Sequence, residues 1–179
     1  SEAGQQAASA AVVAQRRVHP LDRLADDGDE TDVGEGGIDA QRHLIVADAV
    51  RGLLDISGQG DIKVLTDSVA GEKMLFVDDL DIAADGTIWF SDASTRHGYA
   101  HSMYDFLEGR PTGRLLSYDP ASGETRVHLD KLFFANGVAL GPDDDYVLVN
   151  ETGAGRIHRL WLKGAKAGPA VTMRVHDWW

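Results

Sequence analysis

Cysteine is absent from this 179-residue chain, which excludes disulfides and cysteine-ligated metal centres and leaves the redox compartment open. A cationic surplus is absent as well. Lys and Arg number 17 against 29 Asp and Glu, a formal charge of −12, which argues against nucleic acid as a partner. No stretch approaches the ~20 apolar residues of a membrane-spanning helix. The Ala-rich run at residues 7–14 is too weakly apolar, and wrongly flanked, for a signal peptide. The expectation is a chain with no membrane and no nucleic-acid partner, placed in the cytoplasm. Its hydrophobic fraction of 43% and its length permit a single core-bearing domain.

Regular patterning is what residues 1–36 lack. Residues 1–15 are rich in Ala and Gln, and residues 21–36 hold Asp22, Asp26, Asp27, Asp29, Glu30, Asp32 and Glu35 with no period of 2 or 3.6. Such a segment buries too little apolar surface to offset its ordering entropy. Residues 1–36 are therefore expected to be disordered, and residues 37–179 to form the folded part.

From Ile38 onward a repeat is present. His43-Leu44-Ile45-Val46-Ala47-Asp48, Ile88-Trp89-Phe90-Ser91-Asp92 and Tyr146-Val147-Leu148-Val149-Asn150-Glu151 each read as a strand ending in an acid. A following strand opens at Gly52, Gly113 or Gly155, the last two as Gly113-Arg114 and Gly155-Arg156. Turn chemistry sits between the strands, at Gly58-Gln59-Gly60, Ala84-Asp85-Gly86, Asp119-Pro120-Ala121-Ser122-Gly123 and Gly141-Pro142-Asp143. Units of about 45 residues with four short antiparallel strands are the sequence pattern of propeller blades. The fold expected is all-β: about three blades, the second lengthened by an insertion at 94–111. An open sandwich or meander would explain the strands but not the recurrence.

The segments FVDDLDIAADGTIWFSDAST, FLEGRPTGRLLSYDP and FFANGVALGPDDDYVLVNET resemble the strictosidine synthase-like family. More distantly they resemble the gluconolactonase, senescence-marker and paraoxonase group of six-bladed β-propellers. The resemblance spans about residues 38–168 and implies that the chain is a partial six-bladed propeller, a fragment of an enzyme. It implies a small-molecule substrate and one of two chemistries. One is calcium-assisted lactonase or esterase-like hydrolysis; the other is condensation of an amine with an aldehyde. A non-catalytic propeller scaffold is the third possibility.

In the calcium-dependent relatives, oxygen donors from several blades converge at the propeller axis. Asn136 matches one of their asparagines. Asp78 stands where they commonly carry Asn, and Asp79 matches the Asp that follows. The resemblance thus implies Asn136 and Asp78 as metal ligands and Asp79 as a substrate contact. Calcium suits these side chains, because it is a hard cation that takes six to eight oxygens. The first-blade glutamate and the late Pro-Asp-Asn motif of the relatives have no counterpart here, so the donor set is expected to be incomplete. No catalytic residue is assigned, and the isolated chain is expected to be inactive. Open propeller ends, with the faces at 44–46 and 147–149 part-exposed, would favour self-association.

Other features carry less. His97 and His101 have helical spacing but Gly98 between them and no third ligand, so an exposed loop is expected. Ser91, Ser94 and Ser102 lie near histidines without a Gly-x-Ser-x-Gly elbow. Gly153-Ala154-Gly155 lacks the third glycine of a dinucleotide loop. The aromatic stretch at 99–106 is expected to cover one end of the propeller, and the strand-end acids to serve structure rather than catalysis.

Overall fold

A computed structural model describes residues 33–174 of the chain. Three four-stranded antiparallel sheets follow one another in sequence, each a simple meander. The first contains β1 (Val33–Ile38), β2 (Leu44–Asp48), β3 (Gly52–Ile56) and β4 (Ile62–Thr66). A two-stranded ribbon, β5 (Ser68–Val69) and β6 (Glu72–Lys73), leads to the second sheet. That sheet is β7 (Val77–Ile82), β8 (Ile88–Asp92), β9 (Gly113–Asp119) and β10 (Glu124–Leu132). The third is β11 (Ala135–Leu140), β12 (Tyr146–Glu151), β13 (Arg156–Trp161) and β14 (Ala170–Arg174). Strand β7 packs against both β1 and β11, so the first strands of the three sheets lie side by side, as the inner strands of blades do. The expected all-β partial propeller of about three blades is what the chain forms.

Burial follows that placement. Central strands β2 and β8 are buried along nearly their whole length, whereas β4 and β10 are largely exposed. The core lies between the sheets. Ile45, Ala47 and Leu53 meet Leu80, Ile88, Phe90, Leu116 and Tyr118 across the first junction. Ala83, Trp89, Leu115 and Leu132 meet Val138, Val147, Val149 and Leu160 across the second.

Two expectations change. The strand-rich region begins at Val33, not Gly37: Val33-Gly34-Glu35-Gly36 is Gly-rich and reads as loop, yet pairing with β2 makes it strand. The rest of the expected disordered segment, residues 1–32, lies outside the described residues, as do 175–179. Secondly, Ile45, Val46, Val147 and Val149 are buried. Ile45 faces the second sheet, Val147 and Val149 do so from the other side, and Val46 packs with Leu54 and Ile56. Leu44 and Leu148 alone among these positions are half-exposed. Among the described residues no helix is long and apolar enough to cross a membrane.

Candidate functional site at the inner strands

The three inner strands share a defect in register. Val33 pairs with Asp48 and Gly36 with Val46; Val77 with Asp92 and Leu80 with Phe90; Ala135 with Glu151 and Val138 with Val149. In each case two residues oppose one, which is a β-bulge. Bulges re-aim side chains and recur beside functional sites. The bulged pairs are Gly34-Glu35, Asp78-Asp79 and Asn136-Gly137. The resemblance-implied residues Asp78 and Asn136 therefore occupy the same position of neighbouring blades, and both are half-buried.

Asp79 is placed differently. It is 5% exposed, and its Oδ1 accepts the N–H of Leu80 at 2.8 Å. Its Oδ2 accepts the N–H of Val138, in the next blade, at 2.7 Å. Its own N–H donates to Ser91 Oγ at 3.2 Å, the residue opposite the bulge. A substrate contact by this carboxylate would compete with those bonds. Two residues on, Asp81 Oδ2 accepts the N–H of Leu140 at 2.9 Å.

The strand-end acids form a second repeated device. Asp48, Asp92 and Glu151 are all buried, and each meets an Arg at or next to the opening of the following strand. Arg51 Nε reaches Asp48 at 3.0 Å, Arg114 Nη2 reaches Asp92 at 2.7 Å, and Arg156 Nη2 reaches Glu151 at 2.9 Å. Each acid also takes a backbone N–H, from Val50 and Arg51, from Phe76, and from Phe133 respectively. Burial pushes the Asp92 carboxyl above the ordinary range, and the Arg114 hydrogen bond and charge only partly oppose it. Burial works the same way on Glu151, but His158 at 2.6 Å, the Phe133 N–H and Arg156 outweigh it and hold the carboxyl below its usual range. These acids bind the chain's own groups, in keeping with a structural role.

The insertion closes over one end. Phe76 and Phe134, each two residues before a bulge residue (Asp78, Asn136), meet edge to face at 5.5 Å. Tyr99 packs on Phe76 at 5.6 Å and Phe106 on Phe134 at 4.6 Å. A turn at Tyr99–His101 and the short helix α1 (Met103–Glu108), ended by Gly109 with φ 62°, carry those two rings. Asp105 of α1 anchors the insertion by accepting the Ser94 hydroxyl at 2.9 Å. His97 lies 3.4 Å from Glu108 and His101 stacks on Tyr104, so the pair is spent on the insertion itself. Among the described residues no three His, Asp or Glu side chains gather as a metal cluster. Asp78 and Asn136 offer the oxygen types that calcium takes, at equivalent bulge positions.

Asn150 and the Phe76/Phe134 pair are neighbours of the site that sequence reasoning passed over, and Ser91 was weighed only as a nucleophile. The shared spacing in Phe76-Val77-Asp78 and Phe134-Ala135-Asn136 was their one available signal.

Comparison with known proteins first defines the class. A gluconolactonase from Xanthomonas campestris superposes with a TM-score of 0.62 at 20% identity, over 77% of this chain and 47% of that one. A luciferin-regenerating enzyme superposes with 0.58 at 15%, over 82% and 48%. These likenesses give the propeller fold. The strictosidine synthase family matches residues 78–165. Protein STRICTOSIDINE SYNTHASE-LIKE 13 of Arabidopsis thaliana is 42% identical over 127 residues, 70% of this chain and 32% of its own length. The adipocyte plasma membrane-associated protein of Rattus norvegicus is 42% identical over 132 residues, 71% of this chain and 35% of its own. The chain belongs to the strictosidine synthase-like family, and it shares its fold with gluconolactonase propellers. It spans about a third of the length of these two relatives.

Proposed function

We propose that this chain is a portion of a strictosidine synthase-like propeller enzyme that, with all its blades, hydrolyses a lactone or ester with the help of calcium. The observation that carries the reading is the equivalence of Asp78 and Asn136 at matching bulges of adjacent inner strands. Asp78 offers a charged oxygen and Asn136 a neutral one, the donor types a hard cation takes. Calcium bound there with an open position would polarise a carbonyl toward attack by water. The aromatic rings of the insertion cover the same end of the sheets and would limit access of bulk water. No residue of this chain is assigned as the catalytic acid or base.

The match over residues 78–165 favours a second reading, amine–aldehyde condensation, in which a carboxylate does the acid–base work. A propeller used only as a binding scaffold is the third.

With two donors where calcium takes about six to eight, the chain alone should bind calcium weakly and show negligible hydrolysis. Calorimetry with calcium tests the first point, and a micromolar site abolished by Asn136→Ala would overturn the incomplete donor set. The reaction is tested in a longer protein that contains this segment. Calcium-dependent lactone hydrolysis lost in Asn136→Ala supports the reading, whereas calcium-independent condensation of an amine with an aldehyde sinks it.

A further inference from the structure

Strand β11 pairs with β12 along one edge only, and β7 of the neighbouring blade lies along the other. Backbone N–H groups of residues two apart point to the same strand edge. At that free edge the N–H groups of Val138 and Leu140 would go unbonded, a costly state for buried donors. Both are instead taken by carboxylates that are themselves two residues apart on β7: Asp79 for Val138 and Asp81 for Leu140. Side-chain acceptors thus stand in for the missing strand. The corresponding positions are Gly37 in β1 and Ala139 in β11, where Asp81 sits in β7, so this pair of clasps belongs to the second blade.

The two clasps differ in what lies beside them. Asp81 grips regular strand. Asp79 grips the residue that closes the Asn136-Gly137 bulge, and Asn150 presses from the opposite strand. A Cβ built on Gly137 would stand 2.8 Å from Asn150 Nδ2 and 3.6 Å from Asp79 Oδ2. Gly137 thus lies between a carboxylate and an amide, and a side chain there would push the exposed end of Asn150 aside.

We propose that Asp79 is the positioning residue of the inner-strand site: by holding Val138 it fixes the bulge and thereby the direction in which Asn136 points. The inference rests on the reading of Asn136 as a site residue, and it gives Asp79 a role through Asn136 in place of substrate contact. Asp81 supplies the matched control, a clasp of the same chemistry outside the bulge.

Nuclear magnetic resonance on the full chain tests it. In the unaltered protein a through-bond correlation should link the Val138 amide nitrogen to the Asp79 side-chain carboxyl carbon; its absence would overturn the proposal without any variant. In Asp79→Asn, amide exchange at Val138 should rise about tenfold or more, and the side-chain amide signals of Asn136 should move. In Asp81→Asn, exchange at Leu140 should rise while Asn136 stays where it is. Should Asn136 respond equally to both variants, or to neither, Asp79 is a general clasp and the positioning role is wrong. These readouts need neither calcium nor substrate. A failure of calcium-dependent hydrolysis in the longer protein would count against the proposed function and leave the Asp79–Asn136 relation standing.

Discussion

Arg114 Nη2 lies 2.7 Å from Asp92 Oδ2, with the Arg side chain 7% exposed and the Asp side chain sealed from water. The same guanidinium reaches Glu72 of the β5–β6 ribbon at 3.3 Å, so one residue joins the second sheet to the segment that leads into it. Arg114→Met removes the compensation and leaves a buried carboxylate whose protonation is already favoured by burial. The expected loss is about 3–5 kcal/mol in urea unfolding, the usual cost of breaking a buried pair from one side. Adding Asp92→Asn to that variant should recover part of it. A loss within experimental error for Arg114→Met alone would mean that the pair is not buried in solution.

Legibility in the sequence followed the range of the interaction. Asp48, Asp92 and Glu151 stand at strand ends, Gly52, Gly113 and Gly155 at strand starts, and hairpin turns between them, all within short windows. Those local signals were enough for blades and their order. The bulges were not readable, because an extra residue in one strand is defined only against the register of its partner. Asp79 shows the same limit more sharply. In sequence it is one of two adjacent acids, and the N–H it holds is 59 residues away with no signature of its own. Val33–Gly36 failed in the other direction, since local composition spoke for loop while pairing with Leu44–Asp48 imposed strand. The acids' arginine partners were half visible, in Gly113-Arg114 and Gly155-Arg156, but Arg51 precedes its glycine and breaks the pattern.

Acid should weaken the third blade through Glu151. Its folded carboxyl is held below the ordinary glutamate value of 4.5, so the unfolded chain binds the proton more readily. Stability from this group is therefore present above that value and is lost as pH falls through the folded one. Asp92 runs the opposite way: its raised folded carboxyl contributes most at low pH and least above its folded value. Urea midpoints measured from pH 7 down to about pH 3 should show Glu151→Gln with a shallower acid limb than the unaltered chain, and a lower plateau near neutrality. An acid limb of unchanged slope in Glu151→Gln would show that other carboxylates control the transition.

Gly113 opens β9 at the point where three backbones converge. A Cβ there would stand 2.7 Å from the Ala93 oxygen, 2.8 Å from the Ala135 nitrogen and 2.9 Å from the Leu132 oxygen. None of these atoms is the end of a flexible side chain. Relief requires moving the end of the second blade or the start of the third. Gly113→Ala is expected to cost about 1–3 kcal/mol or more, in the range of overpacked cores. Gly58 is the contrast, since a Cβ at that position meets nothing within 4 Å, and its Ala variant should fall within about 0.5 kcal/mol of the parent. The two variants measured side by side by thermal and urea unfolding separate a close-approach glycine from a turn glycine. Equal, small effects would mean that the Ala93, Leu132 and Ala135 backbones do not meet at Gly113 and that the junction between the second and third blades is looser than described.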